Sequence, residues 1–477
     1  MDLFSLVAGS IRSLCGVQGA RRRVGRRFTS LLTGQALENR TLLASLISST
    51  KLTYQDKDGD DVSVTLSKPV LTAANVNSIF TFDTGPIAGN GTKQQLRTIN
   101  LVGIAGVAGT TITTVAVRSV ANGGDGFAAI GQIDATGLDI GTVTIDGDLG
   151  RILAGDATTT TAGLGALKVH SLGRFGTFTG ATNLTSTIQG AVASLTTKTD
   201  VREASFRVQG GASATLAAVT IGGSLIGGAA SQSGRISSAG NLGPVKITGD
   251  VVGGGGSLSG TVQSLGNLAS IAIGGSLIGG SGNNSGFLSS GAAMGAVTIT
   301  GSVLGGAGAE SGWILSPGTL ASVTVGGSVV GGVGPRSGAI TSDGNLGAVK
   351  VTGDVIGGAG TKSGRIASTA NLASVTIGGS LIGSSGQSSG QVFSNGTLGP
   401  VVITGDVRGG SFNAVAEVNA TGAVVSNANI TSVTIGGSLI GGVGDRSGLL
   451  VSGLGPGPLK DMGAVKITGD VRGTGLN

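Results

Sequence analysis

The chain has 477 residues, 94 of them Gly, with 39% hydrophobic, 3% aromatic and 11% charged residues. Collagen needs Gly at every third position, and disorder needs fewer aliphatics and more charge, so the composition excludes both. The net charge of +6 is uneven, because residues 1–45 hold seven Lys/Arg and two acids while the remainder is nearly neutral.

A nearly neutral body lacks the basic stripe that nucleic-acid binding wants, so no nucleic-acid partner is expected. The chain has one Cys, Cys15, and one His, His170. A disulfide framework and a zinc site are therefore both excluded from the body.

Residues 1–45 read as a basic targeting segment, disordered or removed. A modest apolar stretch from Leu3 to Val17 precedes the cluster Arg21-Arg22-Arg23-Val24-Gly25-Arg26-Arg27. No apolar run reaches 18 residues, so no transmembrane helix is expected. The run Leu37-Glu38-Asn39-Arg40-Thr41-Leu42-Leu43 follows. It resembles the LEPR-XLL type leader of large planctomycete surface proteins, with Asn39 where that pattern has Pro. The resemblance covers seven residues, and the Gly-rich repeats behind it agree with it. It implies export or display on the cell surface, and it implies no catalytic activity.

Residues 46–114 read as a small β-rich cap. Val62–Leu66 and Ser78–Phe82 alternate as strands do, and a solenoid needs its hydrophobic end covered. Between them, Asp56-Lys57-Asp58-Gly59-Asp60-Asp61 has the oxygen density of a calcium loop. An EF-hand starting at Asp56 would need Glu where Ser67 stands, so the candidates Asp56, Asp58, Asp60 and Asp61 belong either to another kind of calcium site or to an acidic β-turn. No other cofactor is expected.

Residues 115–477 form a repeat array. Blocks begin at Val219, Val245, Ile271, Val297, Val323, Val349, Val375 and Val401, a constant step of 26 residues, and two more at Val433 and Val465 follow at steps of 32. Such periods mark solenoids. Apolar columns recur through each block, one through Leu225, Val251 and Leu277 and another through Ile236, Val262 and Leu288. Three short strands per turn predict an all-β fold, a parallel β-helix. The lack of a six-residue period favours the right-handed form. About 13 turns at roughly 4.8 Å make a rod about 60 Å long.

Three features stand outside this core pattern. Asp250, Asp354, Asp406 and Asp470 recur at one corner, with Ser302 breaking the alternation. Phe287 and Trp313 fall on adjacent turns of an outward column, with Leu315 facing the same way, which predicts a ligand patch for glycans or a protein partner. A second apolar column through Ile226, Val252 and Ile278 predicts either a lateral interface or a buried corner. The last columns run on to Val471, and an open final turn would allow end-to-end self-association.

The sequence thus points to a secreted or cell-surface scaffold, structural or adhesive, that is not an enzyme. A carbohydrate-active β-helix enzyme, a polysaccharide lyase or hydrolase, is the alternative, and it would need carboxylates gathered beside one cleft. The passenger of a larger secretion system is a third reading.

Overall fold

A computed structural model describes residues 44–83, 93–119, 122–454 and 460–473. The basic leader, with the Leu37–Leu43 run, lies outside the described residues apart from its last two positions.

The repeat region is a parallel β-solenoid of about 12 turns. Val219 pairs with Val245, Val245 with Ile271, Ile271 with Val297 and Val297 with Val323, each in parallel register on the next turn. A single turn contributes three strands, for instance Leu268–Ile273, Leu277–Ile278 and Phe287–Ser289. Strand side chains alternate between faces. Ile271 and Ile273 are accordingly buried while Ala272 between them is exposed. Like stacks on like, and one continuous core of Val, Ile and Leu runs from the cap to Ile435. The Leu225 column is buried from Leu225 to Val407 and opens at Leu439 and Val471, while its neighbours Ile226, Val252 and Ile278 are half-buried at the rim.

Gly shapes the corners because adjacent turns approach closely there. A Cβ on Gly274 would sit 2.2 Å from the carbonyl oxygen of Thr248 on the turn below. Beside this corner runs a ladder of side-chain hydrogen bonds. Asp250 Oδ1 accepts from the Ser276 amide at 2.7 Å, and Ser276 Oγ accepts from the Ser302 amide at 3.1 Å. Ser302 Oγ accepts from Ser328, Ser328 Oγ from Asp354, and Asp354 Oδ1 from Ser380. Either residue type supplies the acceptor, so Ser302 continues the ladder. Asp250, Asp354 and Asp406 are therefore structural ties between turns, while Asp470 pairs with Arg472 on its own turn.

A second tie lies in the loop after the short strand. Ser311 is fully buried; its Oγ accepts from the Gly306 amide at 2.9 Å and donates to the Gly308 carbonyl at 2.7 Å. Gly312 follows with φ of 62°, and a Cβ there would meet the Leu304 carbonyl oxygen at 2.1 Å. Ser311→Ala leaves the half-buried Gly306 N–H and the buried Gly308 C=O without this partner, so a loss of about 1–3 kcal/mol is expected, read by denaturant unfolding.

The cap is antiparallel. Ser45–Ser48, Lys51–Gln55, Asp61–Leu66 and Ile112–Val117 form a meander. Ile112–Val117 also pairs in parallel with Ile140–Gly155, and Leu96–Asn100 pairs in parallel with Ile130–Thr136. The first parallel pairings thus lie upstream of residue 115, the start of the repeats expected from sequence. The strand expected over Ser78–Phe82 is divided. Val76–Ile79 is a helical turn and only Phe80–Phe82 is extended. Local bonds favour the turn: the Thr72 amide donates to Asn75 Oδ1 at 2.8 Å, and Ser78 Oγ donates to the Asn75 carbonyl at 2.8 Å. Among the described residues, no helix is long and apolar enough to cross a membrane.

Candidate functional site

The acidic turn joins two cap strands, Lys51–Gln55 and Asp61–Leu66. Asp56, Asp58 and Asp60 bring carboxylate oxygens within 4.8 Å of one another, a spacing that one hard cation such as calcium can bridge. Asp61 is not part of that group. Several of these oxygens already have partners. Asp56 Oδ1 accepts from the amides of Gly59 and Asp60, closing the turn. Asp60 Oδ2 accepts from the amides of Asp125, Gly126 and Phe127 at 3.2, 2.7 and 3.1 Å. Asp58 Oδ2 accepts from the Asp125 amide as well. Asp60 is fully buried, and its Oδ1 has no hydrogen-bond partner among the described residues. Burial, and then the carboxyl of Asp58 beside it, push the Asp56 carboxyl up to about 7.

A cleft of about 480 Å³ opens beside this turn, lined by Asp56, Asp58, Asp125, Phe127, Phe175 and Phe178. Phe178 is 96% exposed, and Phe127 and Phe175 are well exposed too. Sequence reasoning missed these three because Phe127 sits in a loop and Phe175 and Phe178 sit at a short 3-10 turn, Gly176–Thr179, outside the repeat columns. The available signal was three Phe within 52 residues of a chain that has only 11.

The predicted aromatic patch lies on a different part of the solenoid. Phe287 and Trp313 stack, with ring centroids 5.4 Å apart and planes 28° apart. They form a small cluster of their own outside the main core, with Ala339, Leu258 and Leu315. Both rings are covered, at 5% and 7% exposure, and Leu315 is half-buried. Trp313 Nε1 donates to Thr341 Oγ1 at 2.9 Å, which anchors the ring to the strand Ile340–Ser342. The exposed apolar patch expected from the outward column is thus a packed pair, because the long rings lie against the outer side chains of neighbouring turns.

The accessible feature is the groove that continues from this pair. It encloses about 340 Å³ and is lined by Trp313, Leu315, Arg336, Thr341, Lys362 and Arg365, among others. This volume falls within the range of small-ligand pockets, roughly 300–1,000 Å³. Arg365 is 8% exposed and its guanidinium lies 4.3 Å from the centre of the Phe393 ring. Its Nε is buried without a hydrogen-bond partner. Burial lowers the Arg365 pKa to about 10, and burial together with Arg365 and Arg336 lowers that of Lys362. Arg336 pairs with Glu310 at 2.5 Å, whereas Lys362 and Arg365 have no ion pair among the described residues.

Comparison with protein-family models, with curated proteins and with solved structures finds no match for this chain.

Proposed function

We propose that this chain is a secreted or cell-surface scaffold that works by geometry: a stack of turns presenting side chains at fixed intervals, with ligand contact on its outer faces. One observation carries the reading. Carboxylates that recur along the repeats hold one turn to the next, as in the Asp250–Ser276, Asp354–Ser380 and Asp406–Ser438 bonds, so the repeat is built for stacking. The leader resemblance supports export, and the absence of a long apolar helix among the described residues is consistent with a protein that has no membrane-spanning helix. Antibodies raised against residues 46–477 are expected to label intact source cells or the culture fluid. Labelling only after lysis would overturn the placement.

The cap cleft favours a second reading, a carbohydrate-active enzyme, because carboxylates and exposed aromatic rings line one cavity. Against it, Asp56 is 8% exposed and its carboxylate oxygen lies within 4.8 Å of one on Asp58. Glycosidase carboxyls stand about 5–10 Å apart, with the sugar between them. Release of reducing ends or unsaturated products from a polysaccharide panel, lost in Asp58→Asn, would establish the enzyme. No release leaves the scaffold reading in place.

A further inference from the structure

We infer that the groove beside Trp313 binds a saccharide carrying carboxylate or sulfate groups, with Arg365 as the principal anion contact and Lys362 at the rim. This rests on the scaffold reading and deepens it by naming a ligand class.

The groove is unbalanced in charge. A buried charge is ordinarily paired, because desolvation is costly. Arg365 is more than nine-tenths buried, has no ion pair among the described residues, and leaves Nε unsatisfied. The Phe393 face offsets part of that cost, but a ring cannot accept a guanidinium's directional hydrogen bonds as an oxyanion can. Lys362 adds a second unpaired cation to the same groove. The acid present is Asp343, exposed at the edge, with no ion pair among the described residues. The groove therefore has an excess of positive charge facing a cavity of ligand size.

The remaining lining selects among anions. Thr341 Oγ1 accepts from Trp313 Nε1 and keeps its own proton to donate, and the exposed Thr369 Oγ1 donates to the Asp343 carbonyl and keeps lone pairs to accept, which suits the hydroxyls of a sugar, while Trp313 supplies an apolar wall. A peptide strand would instead seek a free sheet edge. The strands here are already paired on both sides, with Ile340–Ser342 bonded to Ile314–Ser316 below and to Ile366–Ser368 above.

Trp313 is the only tryptophan, so its fluorescence reports on the groove. The full chain would be titrated with oligogalacturonate, sulfated dextran, neutral dextran and polyglutamate. A saturable change is expected with one or both acidic saccharides and with neither of the others. Oligogalacturonate alone would identify carboxylate as the recognised group, and sulfated dextran alone would identify sulfate. Arg365→Gln should weaken binding about tenfold or more, since a hydrogen bond to a charged group is lost. Lys362→Gln, at a half-exposed position, should weaken it about threefold, and it serves if the first variant does not fold. An equal response to neutral dextran or to polyglutamate overturns the proposal, as does no response at all, or unchanged affinity in a folded Arg365→Gln. Binding by a protein found inside the cell would keep the groove and sink the surface role. A surface protein that binds none of the four would do the reverse.

Discussion

Val323→Asp is expected to cost about 4 kcal/mol or more, because it places an unpaired carboxylate among aliphatic side chains. Val323 is fully buried in the middle of the array, in register with Val297 below and Val349 above. The neighbouring Thr324 is exposed on the same strand, and Thr324→Asp should stay within about 0.5 kcal/mol of the parent. The pair isolates the alternation of faces from any general effect of added charge. In a stacked array each turn contacts only its neighbours, so a broken turn uncouples the two sides. Thermal unfolding of the Val323→Asp variant should therefore show two transitions where the parent shows one. The defect should also depend on pH. Burial raises the pKa of the new carboxyl above its value of about 3.9 in the unfolded chain. Destabilisation is then present above that value and is relieved as pH falls and the group binds a proton. A single transition at neutral pH, with little loss of stability, would contradict the placement of this column.

The repeat was legible in the sequence for a simple physical reason. Stacked turns at one fixed rise need the same residue size at the same place, so the inward columns through Val219, Leu225 and Ile236 could be read from spacing alone. The adjacency of Phe287 and Trp313 followed from the same register. Their covering did not, because it depends on how long side chains on the outer face lie against those of the next turn. Trp313 reaches Thr341, 28 residues on, along a diagonal that a column does not reveal. The alternation of Asp and Ser at the corner was visible, but its meaning was not. Only the bond from each side chain to the amide one turn above shows that both residues do one task. At the cap, acid density marked Asp56–Asp61, while the principal partner of Asp60 lies 65 residues away at Asp125–Phe127. Nothing in the local sequence announces a contact at that range.

That distant contact sets up the other large effect. Asp60→Ala should destabilise the cap by about 3 kcal/mol, since charge-assisted hydrogen bonds each contribute about 1.5–3 kcal/mol and removing the acceptor strands its donors. Three amides, those of Asp125, Gly126 and Phe127, converge on Asp60 Oδ2. Asp58 Oδ2 still holds the first of them, which is why the loss should fall short of three full bonds. The cap covers the end of the core, and Ile112–Val117 belongs both to its meander and to the first parallel pairing, so loosening the turn should also loosen the first rungs. Limited proteolysis should find new cleavage at residues 122–127 before any in the repeats, alongside a lower melting temperature. Asp60→Asn keeps one oxygen acceptor and should lose less than Asp60→Ala. Both losses should persist in the presence of a chelator, because the amide bonds need no cation. A loss seen with calcium and abolished by the chelator would instead mean that Asp60 acts through a bound ion.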